Sequence, residues 1–276
     1  MTTRNYAPHV FFLCFLFVLG NAVFTSVSEN LTFILISCGL TLALTCGVFF
    51  LAPFFCNKKL LSLAFYIAVF IASTIGIFSS FFDYYKFLKE VQLPFINHTI
   101  LLIVLIFTTV IFSTFCFGAI YKYCLLVGII GILIIIICFL SGTKNYDFGS
   151  IVFSSNTIDF SFKMFIKYFF PITILPFLFC FENKTTSFKP ILFSLLFGFA
   201  TLLITGLQTV LTLGFTHHTH GYLTAVSVIS TGSLFSRLNG LVYFLFFICF
   251  WAKITICVKA VYCIIKHRFG KNPSSL

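Results

Sequence analysis

Two cations stand where a membrane helix tolerates charge least. Residues 234–253, LFSRLNGLVYFLFFICFWAK, place Arg237 at the head of an apolar run and Lys253 sixteen residues later within it. A charge held in the hydrocarbon region costs roughly 3 kcal/mol or more unless it snorkels, pairs or faces a cavity, so it is by default a functional-site candidate. Lys259 lies six residues further on, about 9 Å along a helix, which brings it close enough to the end to snorkel. Lys253 falls near mid-depth.

Helix breakers form a second group. The first apolar run contains Leu19-Gly20-Asn21, and the sixth contains Pro171 and Pro176 in FFPITILPFL. Proline removes a backbone donor and leaves upstream carbonyls to be satisfied by something else. Many secondary transporters bind substrate at the midplane between such discontinuous helices, at corresponding positions of two repeats. Gly20, Asn21, Pro171 and Thr173 are therefore the candidate ligand contacts, against the alternative of simple kinks. Gln208, with Thr205, Thr209 and Thr212, reads as a source of interhelical hydrogen bonds worth about 1 kcal/mol each.

Other chemistries lack their residues. There is no phosphate-binding glycine loop, no paired carboxylates and no nucleophile beside a base, so an enzyme is not expected. The six acids (Glu29, Asp83, Glu90, Asp147, Asp159, Glu182) fall at or near the ends of apolar runs, against a carboxylate proton relay. His217, His218 and His220 have side chains that suit zinc or copper, but a His-rich polar loop is the plainer reading, and no metal or cofactor is expected. The eleven cysteines form no CxxC pair and lie mostly in apolar runs, as small hydrophobes. The NxT triplets at Asn30, Asn97 and Asn183 are short enough to arise by chance.

The elements that position these residues follow from composition. Of 276 residues 60 % are hydrophobic and 8 % charged, far below the roughly 25 % of a soluble surface, which makes this an integral membrane protein. The net charge of +11 is scattered one or two cations per loop. That distribution fits anionic lipid headgroups and an orientation signal, not nucleic acid. The 43 Phe reflect biased codon usage and mark no binding stripe. At about 20 apolar residues per crossing, eight spans are predicted: 9–27, 31–55, 60–83, 98–118, 121–141, 163–181, 189–215 and 240–264. They form one all-α polytopic domain over 1–276. Nine Lys and Arg on the N-terminal side against six opposite place both termini in the cytoplasm of a multi-pass cell-membrane protein. Residues 83–97 are expected as an interfacial helix, 142–162 as a polar outer cover, and 216–239 as a connection.

In LFSRLNGLVYFLFFICFWAKITICVKAVY the chain resembles the spore germination permease family, the B subunit of spore germinant receptors, in the amino acid/polyamine/organocation superfamily. Arg237 and Lys253 match that family's motif charges in spacing, while its flanking acids stand here as Ser236 and Asn239. HVFFLCFLFVLGNAVF resembles the family's first helix with its Leu-Gly break, VQLPFIN its turn before the fourth helix, and FGAIYKY a charged segment in which Lys122 falls near an arginine. The resemblance implies a transporter-like bundle broken in helices 1 and 6. With eight of about ten helices, the inverted repeat would be incomplete. It further implies a receptor in the spore inner membrane that binds a small germinant such as an amino acid and signals through A and C subunits. A solute transporter and a non-transporting structural subunit are the alternatives.

Overall fold

The computed structural model describes residues 7–22, 31–57, 59–89, 95–114, 117–148, 162–175, 188–214, 221–230 and 238–269. Among them the elements are helices and turns, with no strand. A helix satisfies its own N–H and C=O groups, which an apolar surrounding cannot do for it. The α-helices are α1 (Ala7–Ala22), α2 (Leu31–Asn57), α3 (Lys59–Phe87), α4 (His98–Thr114), α5 (Phe117–Gly142), α6 (Phe162–Tyr168), α7 (Phe188–Leu213), α8 (Gly221–Ser230) and α9 (Leu238–Phe269). Among the described residues five stretches are long and apolar enough to cross a membrane: Phe33–Phe50, Leu63–Phe87, Lys122–Asn145, Lys189–Leu213 and Asn239–Tyr262. Helices α1 and α4 add the shorter apolar stretches Val10–Gly20 and His98–Ile111. The protein is a helical membrane protein.

The centre of the bundle is α1. Every residue from Leu13 to Leu19 is buried, as expected where a helix is hydrophobic on all sides. It packs on α5, α7 and α9, while α3 packs along α9. Large side chains point outward from α4 (Ile103, Val104, Phe107) and from α5 (Leu126, Leu133, Leu140), the apolar exterior that lipid covers. Asn97 caps α4 by accepting the Thr99 N–H at 2.9 Å, a structural role for one of the three NxT triplets. Gly214 closes α7 with φ +70, the left-handed conformation that favours glycine, and its N–H donates to the Val210 carbonyl.

Several boundaries differ from expectation. Residues 83–87 continue α3, ending in a wider π-type turn at Leu88–Lys89, because Tyr84 and Phe87 bury their rings against α9. The expected interfacial helix over 83–97 therefore does not start at Asp83. The connection 216–239 contains α8, whose Tyr222, Leu223, Ala225, Val226 and Ile229 are buried at helical spacing. In the expected polar cover, Thr143–Asn145 forms a 3-10 turn and the Asp147 N–H bonds the Leu211 carbonyl at 2.9 Å. The sixth span is interrupted: α6 stops at Tyr168 and the chain continues as a 3-10 turn over Phe170–Ile174.

Candidate functional site

The interruption begins with Pro171, which has no N–H to offer the carbonyls of Lys167 or Tyr168. The chain tightens instead: Ile172 N–H bonds Phe169 O, and Leu175 N–H bonds Ile172 O. Phe169 anchors the segment, buried among the rings of Phe33 (α2), Phe165 (α6) and Phe199 (α7). Pro171, Ile172, Thr173 and Ile174 are all buried. The Thr173 hydroxyl is committed to the Phe170 carbonyl at 2.7 Å, so it stabilises the turn.

Three elements meet beside this turn. A Cβ placed on Gly76 of α3 would lie 2.8 Å from Cys257 Sγ of α9 and 3.2 Å from Pro171 Cβ. Glycine at 76 is what lets α3, α9 and the 3-10 turn close together. Lys253 stands one turn before Cys257 on α9 and is only 1 % exposed. Among the described residues its ammonium has no ion-pair partner within 4 Å and no hydrogen bond; the charged groups within its electrostatic reach are Asp83 and Lys167. Those two pair with each other, Lys167 Nζ donating to Asp83 Oδ1 at 2.7 Å and to the Tyr168 hydroxyl at 2.8 Å. Lys167 also lies 4.7 Å over the Tyr168 ring. This bridge joins α3 to α6 immediately before the interruption.

An aromatic wall rises next to Asp83. Tyr84 stacks on Phe250 at 4.2 Å, Phe87 meets Phe246 at 4.8 Å, and Phe250 meets Trp251 edge-on at 4.9 Å. Aromatic pairs in these geometries contribute about 0.5–1.5 kcal/mol each beyond burial, and here they fasten α3 to α9.

Gly20 requires a correction. The backbone is α-helical through Leu19, Gly20 and Asn21 to Ala22, so the expected break of the first helix is absent at these residues. A Cβ at Gly20 would lie 2.8 Å from the Cys249 carbonyl oxygen, so the glycine permits a close crossing of α1 and α9. The side chain of Asn21, the rest of that first run, Pro176, the histidines at 217, 218 and 220, and Arg237 lie outside the described residues. Gly20 and Pro171 do not form one cluster. Gly20 meets α9 at Cys249, whereas Pro171 adjoins Gly76 and Cys257, eight residues or about 12 Å further along that helix. Lys253 lies between these two levels.

The polar residues of α7 also divide. The hydroxyls of Thr205, Thr209 and Thr212 donate within their own helix, to Leu202, Thr205 and Gln208 carbonyls. Gln208 alone of the four makes the expected interhelical bond, Nε2 to Cys138 O of α5 at 3.0 Å. Sequence reasoning missed Asp83 and Lys167 as a pair. Each was assigned to the end of a span, and their separation of 84 residues left no local signal.

No family model matches the chain, and no curated protein or solved structure is significantly similar to it. The functional argument therefore stands on the residues of this chain.

Proposed function

We propose that this chain is a permease-like subunit of a spore germinant receptor, binding a small germinant such as an amino acid and signalling through partner A and C subunits. In this reading it sits in the spore inner membrane with eight crossings and both termini in the cytoplasm. The observation that carries the proposal is the junction of Lys253 with the interrupted helix. A buried cation and a proline-broken backbone are each costly in a bundle interior, and Lys253 lies one helical turn from Cys257, which meets Gly76 beside Pro171. The Arg237–Lys253 segment adds its resemblance to the germination permeases. Gly20 enters only as a neighbour through α9, so the proposed site centres on Pro171 and Lys253.

Signalling requires that the ligand favour one arrangement of the bundle over another, by its differential affinity for the two. The 3-10 turn supplies an element able to differ between them, since α6 immediately before it is tied to α3 through Lys167–Asp83. The test is a thermal-stability screen of the purified full chain against the common amino acids, with uptake measured in vesicles. A saturable rise in Tm for particular amino acids without concentrative uptake is the expected result. Concentrative uptake by the chain alone would make it a transporter. No response to any amino acid would leave the structural-subunit alternative.

A further inference from the structure

The interior beside the interrupted helix carries more positive than negative charge. Among the described residues Asp83 is the one carboxylate within electrostatic reach of Lys253, and it is already engaged by Lys167 at 2.7 Å. Two ammonium groups thus share one carboxylate. Lys167 is 36 % exposed and tempers its charge with water, the Asp83 bond and the Tyr168 ring. Lys253, at 1 % exposure, has neither such a bond nor such a ring among the described residues. Its other near neighbour in this set is the thiol of Cys257, which supplies no full charge. An unpaired buried cation loses its hydration with nothing in return. The residues flanking it on α9, Trp251, Ala252 and Ile254, are buried, and none of their side chains offers the ammonium an acceptor.

We propose that Lys253 is the anchor of an anion site between α9, α3 and the 3-10 turn, one that takes a single carboxylate of a small solute. A lysine ammonium offers three donors to such a group, and a carboxylate there gives Lys253 the counter-charge that Asp83, engaged by Lys167, does not supply. The site rests on the solute-binding reading above and sharpens it: the solute must present a carboxylate. Lys167–Asp83 holds the broken helix next to the site, which makes both residues positioning residues for it.

The test uses the purified full chain in nanodiscs, in a buffer with sulfate as the only added anion. Tm is followed against L-alanine, propionate, chloride and alaninamide, which lacks the carboxylate. A saturable rise with L-alanine or propionate but not with alaninamide is expected. Lys253→Met should weaken the apparent Kd by about tenfold or more, the loss of a charge-assisted contact. Lys253→Arg should retain most of the response, and Lys253→Gln serves if the Met variant fails to fold. Chloride reproducing the full shift would assign the same anchor to an inorganic anion and remove the carboxylate solute. A folded Lys253→Met that responds as the parent does, or alaninamide acting as well as L-alanine, would overturn the anion site while leaving solute binding intact. No shift with any of the four would overturn it too; if the full amino-acid screen is also silent, the solute-binding reading falls with it.

Discussion

Two levels of α9 are built on opposite terms. At Cys249 the helix is crossed by α1, whose Leu13 to Leu19 are buried without a charge among them, and the contact is backbone against backbone at Gly20. Eight residues on, at Cys257, α3 and the 3-10 turn approach at Gly76, with Lys253, Asp83 and Lys167 close by. Both seams use glycine to bring chains together. Only the second spends that closeness on surrounding charge and on a proline-broken backbone. The lesson is that a glycine in a membrane helix reports proximity, and the chemistry of a site must be read from what the neighbours carry.

Substitutions can break or sharpen this contrast. The largest effect is expected at Gly20→Ala, where the new methyl meets a backbone oxygen that cannot rotate away. Destabilisation of about 2–3 kcal/mol, read from thermal unfolding in detergent, follows from overpacking. At Gly76→Ala the nearest atom is a thiol that can change rotamer, and about 1 kcal/mol is expected. Equal costs at the two sites would erase the distinction. Asp83→Asn leaves two cations without a carboxylate. Its cost should be about 1–2 kcal/mol, below that of a fully buried pair because Lys167 is partly exposed. The double variant Asp83→Asn with Lys167→Met should recover part of that loss, and simple additivity would deny the pair its coupling. Gln208→Leu removes one interhelical bond and, with it, a buried Oε1 that has no partner among the described residues; a net change of about 1 kcal/mol or less is expected. Smallest is Gly39→Ala, where nothing lies within 4 Å and better helix propensity gives a gain under about 1 kcal/mol.

Much of the fold was legible because apolar length is a direct physical demand of the bilayer. The starts expected at 31, 60 and 98 fall within a residue of those of α2, α3 and α4. Helix α8 escaped because ten residues do not span a membrane, although YLTAVSVI carries its buried positions at helical spacing. The interruption at Pro171 was readable from covalent chemistry alone, since a missing N–H is a property of the residue. Gly20 misled because glycine has two uses, freedom and thinness, and only the partner at Cys249 tells which applies. Lys253 was visible as a charge out of place. Its relation to Asp83 and Lys167 was not, because partners that far apart in sequence meet only through tertiary packing.

The hydroxyl groups of the spans have a mechanical consequence. Thr41, Thr45, Ser73, Ser80, Thr209 and Thr255 each donate to the carbonyl four residues back. Spent in this way, they lend the helices a slight bend and give no grip on a neighbour. At the buried positions Ser73, Ser80 and Thr255 the hydroxyl is therefore spent on its own helix, and a shift of α3 against α9 would break no hydrogen bond of these groups. Friction at that seam is left to ring stacking and to glycine contacts, whose losses grow gradually with displacement. These hydroxyls therefore leave the seam beside the charged site to be held by packing.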